Sequence, residues 1–366
     1  MGTSDQRGDD ALAALRQRID AIDERLLALL SERAAVAKDI AAVKVARGET
    51  QFYRPEREAQ VLRAVQERNP GPLSGEEMAR LFREIMSACL ALEQPVKVAF
   101  LGPEGTFTQA AALKHFGHSA VAVPLPAIDE VFREVAAGAA DYGVVPVENS
   151  TEGVVNHTLD SFLDSSLQIC GEVELRIHHH LLIGPNTRPD SITRIYSHPQ
   201  SLAQCRKWLD AHLPRVERIT LNSNAEAARR VSGEWSSAAI AGEMAESLYG
   251  LTRLHSNIED EPDNTTRFLI IGRECVAPSG EDKTSIMVSV KNEPGALYRL
   301  LEPFQRKGID LTRIETRPSR IRKWNYVFFI DFSGHSAEQQ VRETLDEIAP
   351  TVVELRVLGS YPRAVL

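Results

Sequence analysis

Val98-Ala99-Phe100-Leu101-Gly102-Pro103-Glu104-Gly105-Thr106-Phe107-Thr108 decides the fold class. The four apolar residues read as a buried strand, the glycine-containing segment as a turn, and Gln109 to Phe116 as a helix. A strand entering a helix through such a turn presents free N–H groups and a positive dipole end to an anion. The glycine spacing matches neither the dinucleotide fingerprint nor a phosphate loop. The same rhythm recurs downstream, with apolar runs at Val121 to Pro124, Tyr142 to Val147, Leu181 to Ile183, Ile192 to Tyr196, Ala238 to Ala241 and Arg267 to Ile271. Alternation of these runs with helical stretches predicts an α/β domain over residues 96–277 with mainly parallel strands.

Polar clusters sit at the ends of those runs. Val144 to Val147 leads to Glu148-Asn149-Ser150-Thr151, Ile195-Tyr196 leads to Ser197-His198-Pro199-Gln200 with Gln204 one turn later, and Asp263 to Phe268 precedes Leu269-Ile270-Ile271. Ligands of open α/β sheets gather outside strand ends, so these clusters are expected to converge on one cleft. His178-His179-His180 is no metal site, because neighbours on a strand face opposite ways and no Cys or acid has ligand spacing. His198 reads as a hydrogen-bonded loop histidine.

Upstream, residues 11–47 hold no Gly or Pro, and Leu12, Leu15, Ile19, Ile22, Leu26, Leu29, Val36, Ile40 and Val43 step by three and four. That is the stripe of a helix of roughly 50 Å. Arg33 interrupts it, and a guanidinium in an apolar seam calls for an anion. Pro55 suits the first turn of a second helix, and Ser74 with Glu77 is a capping box opening a third that ends near Glu93. Three such slender helices do not bury their stripes alone, so an intertwined dimer is expected. Downstream, Pro278-Ser279-Gly280 is a linker, and residues 281–366 read as strand, helix, two strands, helix, strand, the ferredoxin-like split unit.

Composition narrows the function. Of 366 residues, 43% are hydrophobic and 25% charged, which excludes disordered and collagen-like architectures. A net charge of -9 disfavours a nucleic-acid partner. The four cysteines are far apart, which argues against disulfides and zinc. Met1 to Asp10 lacks the pattern of a signal peptide and no window is apolar enough to span a bilayer, so a cytoplasmic protein without a membrane partner is expected.

The run from Leu15-Arg16 through Leu26 to Arg33, then Lys44 and Pro55-Glu56-Arg57-Glu58, resembles the all-helical chorismate mutases. The resemblance implies that Arg16, lent across a dimer, and Arg33 clamp the two substrate carboxylates. It implies Lys44 on the ether oxygen, Glu58 on a ring hydroxyl with Arg57 nearby, and Glu93 hydrogen-bonding the same ether oxygen. A carboxylate at Glu93 helps only when protonated, so mutase activity should fall as pH rises. Arg54 stands where the family often has Asp.

Gly102 to Thr108, Pro146 to Ser150, Ser197 to Gln200 and Asn264 to Phe268 resemble, in order, the prephenate dehydratases. That implies the two-lobed fold of type II periplasmic binding proteins, with lobes of about 96–175 plus 260–275 and of 176–259. It implies Thr266 as the leading catalytic hydroxyl, Asn149, Ser197 and Gln204 positioning substrate, and Arg267 as carboxylate partner. Thr106, Phe107, Glu148, Ser150 and Phe268 would line the site, with Glu148 either a second proton donor or a loop brace. No cofactor is implied.

Asn292-Glu293-Pro294-Gly295-Ala296-Leu297-Tyr298 and Ile314-Glu315-Thr316-Arg317-Pro318 resemble the paired amino-acid-binding motifs of ACT domains in dehydratases, with Tyr298 replacing the usual Val and Thr316 replacing Ser. The implied ligand is L-phenylalanine, a feedback inhibitor held between two such domains by Asn292, Gly295, Ala296, Leu297, Glu315 and Arg317. The order of the three units, 1–95, 96–277 and 281–366, is that of the bifunctional chorismate mutase–prephenate dehydratases. Two other classes compete: a ligand-responsive transcription regulator, disfavoured by alternating charges in the helical head, and an amino-acid sensor without turnover.

Overall fold

The computed structural model describes residues 3–48, 51–318 and 326–366. The head is helical: α1 (Thr3–Ala46), α2 (Pro55–Arg68) and α3 (Gly75–Glu93). Pro55 opens α2, and Ser74 caps α3 by accepting from the Glu77 amide. The α2–α3 hairpin packs on itself, and α1 leans on α3. Leu15, Ile19 and Leu29 nevertheless stay 56–59% exposed, so the stripe of α1 is uncovered within one chain.

The hairpin docks on the next domain. Tyr53, just before α2, packs against Phe116 and Tyr142 and lies 3.1 Å from His115 Nε2. Gly117 (φ +75°) permits the close approach, since a Cβ there would lie 2.4 Å from that of Ser87 on α3.

The α/β region has two sheets. β1 (Lys97–Leu101), α4 (Phe107–Phe116), β2 (Val121–Leu125), α5 (Ile128–Ala136), β3 (Tyr142–Asn149), β4 (Gly153–Val154), α6 (Asn156–Asp164) and β5 (Gln168–Arg176) begin the first lobe. The chain then crosses to β6 (His180–Ile183), β7 (Arg194–Ser197), α7 (Pro199–Gln204), α8 (Arg206–His212), β8 (Glu217–Thr220), α9 (Asn224–Gly233), β9 (Ser237–Ala241), α10 (Glu243–Tyr249) and β10 (Thr252–His255). It returns to the first sheet as β11 (Thr265–Gly272). The sheet orders are β2-β1-β3-β11-β5, with β4 on β3, and β10-β6-β9-β7-β8.

The expectation of mainly parallel strands is corrected here. β1 pairs in parallel with β2 and β3, and β7 with β8 and β9, but every ladder of β11, β6 and β4 is antiparallel. A chain that crosses between lobes twice re-enters the first sheet in the opposite sense, as β11 does between β3 and β5. β5, β8 and β10 escaped the sequence reading because charged residues such as Glu172, Glu217 and Arg253 interrupt their apolar runs.

The C-terminal unit is β12 (Asp282–Val290), α11 (Ala296–Arg306), β13 (Leu311–Pro318), β14 (Tyr326–Ser333), α12 (Gln339–Ile348) and β15 (Glu354–Pro362). Its antiparallel order β13-β14-β12-β15 is ferredoxin-like. One face of this sheet packs on α11 and α12 through Ile286, Val288, Phe304 and Phe332. The other face, with Met287, Phe329 and Leu358, shares a core with Val145, Phe162, Leu269 and Ile271 of the first lobe. The strand that carries the expected catalytic threonine is thus buried against the C-terminal sheet.

Candidate active site

At the N-terminal end of β11, Thr266 sits opposite Asn149 of β3. Both are buried. Asn149 Nδ2 donates to Thr266 Oγ1 and to Asn264 Oδ1, each at 2.8 Å, while Asn149 Oδ1 accepts from the backbone amides of Thr151 and Glu152. Because Thr266 Oγ1 accepts this bond, its own hydrogen remains available to a ligand. Gln204, from the second lobe, bridges to the first: its Nε2 donates to Thr151 Oγ1 (2.8 Å) and its Oε1 accepts from Asn264 Nδ2 (3.1 Å). Of the expected dehydratase residues, the fold therefore joins Thr266, Asn149 and Gln204 in one network across the lobes.

Ser197 lies apart from it. It is fully buried, with Oγ 2.8 Å from both Asn224 Oδ1 and the Ile240 carbonyl. Asn224 in turn lines an interlobe cavity of about 880 Å³ together with Thr106, Phe107, His198, Arg229 and Tyr249. Thr106 caps α4 and donates to the Leu101 carbonyl, which fixes the turn at the cavity mouth. Tyr249 Oη closes the lobes from the other side by donating to the Glu104 carbonyl (3.0 Å). Ser150 is exposed, and its hydroxyl accepts from the Thr265 amide.

Two expectations are corrected. Arg267 does not face the cleft: its guanidinium meets Glu172 Oε2 (2.9 Å), Asp331 Oδ2 (2.6 Å) and Tyr361 Oη (3.1 Å). Successive strand residues alternate sides, so the residue next to Thr266 points at the C-terminal sheet. Burial opposes the charge of Arg267, but Tyr361, Asp331 and Glu172 outweigh it and hold the guanidinium protonated. Phe268 is a core residue beside Val98, Phe100 and Val144. Glu148 pairs with Arg313 of β13 at 2.9 Å.

In the helical head, Lys44 Nζ lies 3.6 Å from Glu93 Oε2 and 3.1 Å from the Phe52 carbonyl. Glu93 Oε2 is buried without a hydrogen-bond partner among the described residues. Arg33 is half-buried on the same helix as Lys44, whereas Arg16 and Arg57 are exposed. Glu58 pairs with Arg83 (3.2 Å) in the seam beside Tyr53 and His115, and burial pushes its carboxyl up to about 6. Burial drives the neighbouring His115 down to about 3, with Arg83 adding to the effect. Arg83 was missed in the sequence because it falls in an ordinary amphipathic helix.

The regulatory motifs reach one end of one sheet. Pro318, Tyr326 and Val290 are paired across β13, β14 and β12, so the loop carrying Asn292 to Gly295 lies two strands, about 10 Å, from the end of β13. Gly295 adopts φ +77° at the start of α11, Ala296 is half-buried, and Asn292 and Leu297 are exposed. Glu315 is half-buried on β13. Arg317 departs from the expectation: it is bound to Asp160 (2.8 and 2.9 Å) and Asn156 of α6, since it shares its strand face with Arg313 rather than with Thr316.

This combination, a two-lobed cleft with a polar network across it, a helical head and a ferredoxin-like sheet, defines a multidomain enzyme with a periplasmic-binding-protein-like core. Residues 15–94 match the chorismate mutase type II family model, 98–276 that of prephenate dehydratase and 284–350 that of the ACT domain. The chain is 67% identical over 361 residues to the bifunctional chorismate mutase/prephenate dehydratase of Pseudomonas aeruginosa, covering 98% of this chain and 99% of that protein. It is 50% identical over 360 residues to the protein of that name from Neisseria gonorrhoeae, covering 98% and 99%. The solved prephenate dehydratase of Arthrobacter aurescens, in complex with L-Phe, is 35% identical with a TM-score of 0.69, covering 74% of this chain and 90% of that one. The chain belongs to the bifunctional chorismate mutase/prephenate dehydratase family and carries both activities. No helix among the described residues is long and apolar enough to cross a membrane.

Proposed function

We propose that the chain, in the cytoplasm, converts chorismate to prephenate in its head (1–95) and prephenate to phenylpyruvate in the interlobe cleft (96–277), and that L-phenylalanine binding to residues 281–366 inhibits the second step. The observation that carries the dehydratase assignment is the Thr266 hydroxyl, which accepts from Asn149 and keeps its proton. In the reaction, the ring carbon–carboxylate bond supplies electrons to the ring, carbon dioxide departs, and the ring carbon–hydroxyl bond breaks. Thr266 donates its hydrogen bond to that departing hydroxyl, where negative charge develops. Asn149, Asn264 and Gln204 hold the hydroxyl in place, and the Thr106–Phe107 turn and Ser197, through Asn224, shape the cavity.

The mutase step is unimolecular and needs only a gripped conformer and a cation at the breaking ether bond. Lys44 beside Glu93 supports that role, and Arg33 on the same helix supports a carboxylate clamp. The bare stripe of α1 supports a homodimer in which Arg16 reaches the partner's site and the pocket of each head is completed. Regulation draws support from the two ACT motifs meeting at one sheet end and from the phenylalanine bound by the Arthrobacter relative.

The test supplies chorismate to the purified full chain and follows prephenate and phenylpyruvate with and without phenylalanine. Both compounds are expected, with less phenylpyruvate when phenylalanine is present. Thr266→Ala is expected to lower dehydratase kcat by about 100-fold or more while leaving prephenate formation intact. Normal phenylpyruvate output from that variant removes Thr266 from the mechanism.

A further inference from the structure

His178-His179-His180 lies where the chain crosses from the first lobe to the second, and His179 is 1% exposed. The return crossing holds it: Glu259 accepts from His178 Nδ1 (2.7 Å) and from the His179 amide (2.9 Å), and the Ile258 amide donates to the His179 carbonyl (2.8 Å). The His179 ring then places Nε2 2.8 Å from Gln204 Oε1. Its other nitrogen, Nδ1, is buried with no hydrogen-bond partner among the described residues.

The direction of every bond in this chain follows from two backbone amides. Thr151 and Glu152 donate to Asn149 Oδ1, so Asn149 Nδ2 must face Asn264 and Thr266. Asn264 therefore offers Oδ1 to Asn149 and Nδ2 to Gln204. Gln204 Oε1 is thus an acceptor, and a ring nitrogen facing an acceptor must carry the proton. Burial, opposed by Gln204 and Glu259, keeps the ring's affinity for a second proton below the ordinary value.

We propose that His179, as its neutral Nε2–H tautomer, is a positioning residue of the dehydratase: from the hinge it orients Gln204, and through Gln204 the Asn264–Asn149–Thr266 chain. Without that donor the Gln204 amide loses one of the two bonds that fix its Oε1. A rotated amide sets Nε2 against Asn264 Nδ2, donor against donor, and the misalignment passes to Thr266. Phe107, which lines the cleft, stands edge-on to the His179 ring at 5.7 Å, so the ring also joins the network to the cavity wall. The proposal rests on Thr266 being the catalytic hydroxyl.

The experiment compares the full-length wild type, His179→Leu, His179→Gln and Thr266→Val with prephenate and, separately, chorismate as substrate. Loss of alignment is expected to cut dehydratase kcat in His179→Leu by about 10- to 100-fold with KM within about threefold. His179→Gln, whose amide nitrogen can occupy the Nε2 place, is expected to recover most of that loss, and mutase turnover is expected to be unchanged in both. Nitrogen-15 NMR of the wild-type imidazoles is expected to show a proton on Nε2 of His179 and none on Nδ1. Wild-type kcat in His179→Leu, an equal loss in both His179 variants, or a proton on Nδ1 overturns the proposal. If His179→Leu does not fold, the glutamine variant and the tautomer decide it. Full turnover in Thr266→Val would instead sink the reading of the catalytic hydroxyl, a result the wild-type tautomer does not share.

Discussion

Replacing Arg267 with Met separates the two roles open to that side chain. In the structure its guanidinium belongs to a charge-balanced cluster: Arg267 and Lys283 against Glu172 and Asp331, closed by Ser285 and Tyr361. All six groups sit between β5 and β11 of the first lobe and the C-terminal sheet. In Arg267→Met, Glu172 keeps Lys283, with both oxygens 2.8 Å from Nζ. Asp331, with a side chain only 8% exposed, keeps only the Ser285 hydroxyl among the described residues. An uncompensated buried carboxylate of this kind costs about 3–5 kcal/mol. Denaturant unfolding of the full chain, followed at neutral pH, reads that loss. A second substitution, Asp331→Asn, removes the stranded charge, so the double variant is expected to regain more than half of it. Dehydratase KM for prephenate is expected to stay within about threefold of wild type, because no substrate contact is removed. A variant of wild-type stability whose KM rises steeply would refute this account and return Arg267 to the cleft.

Other outcomes follow from the same contacts. His115 is held neutral down to about pH 3 in the folded seam but takes a proton near 6.5 when unfolded, so stability is lost as pH falls below 6.5. His115→Gln is expected to remove up to about 1.4 kcal/mol of that loss per pH unit, read from thermal or denaturant unfolding at pH 6.5 to 5. Glu58 acts oppositely, since its raised carboxyl favours the folded state as pH falls from about 6 towards its ordinary value; Glu58→Gln should therefore steepen the acid loss. Ile22→Asp with Leu29→Asp puts charges on the bare stripe of α1 and is expected to give a monomer without mutase activity but with dehydratase turnover, as seen by sedimentation and both assays. Arg317→Ala removes the bonds to Asp160 and Asn156 and Asp160→Ala removes the first of them, so both are expected to blunt phenylalanine inhibition; wild-type inhibition in both would count against that contact as the link.

Local signals were enough for much of this. Ser74 with Glu77 and Pro55 placed the starts of two helices, because capping depends on residues a single turn apart. The Asn149 and Thr266 clusters were legible as polar residues at the ends of apolar runs. Arg267, Phe268 and Arg317 were not, because which side of a strand a residue faces depends on register and on what packs against each face. The run of three histidines read as no metal site, and its use depends on Gln204, 25 residues further along the chain.

The sequence by itself determined the order of the three units, the starts of helices such as those at Pro55 and Ser74 and the identity of the groups able to do the chemistry, since periodicity, capping and residue type are local properties. Only the tertiary structure decided which of those groups meet. Burial and pairing turned Arg267 into a brace between sheets, sent Glu58 to Arg83, and tied the proton on His179 to two backbone amides beyond Gln204 and Asn149. Those outcomes come from long-range contacts, where the cost of an unpaired buried charge or donor selects the arrangement.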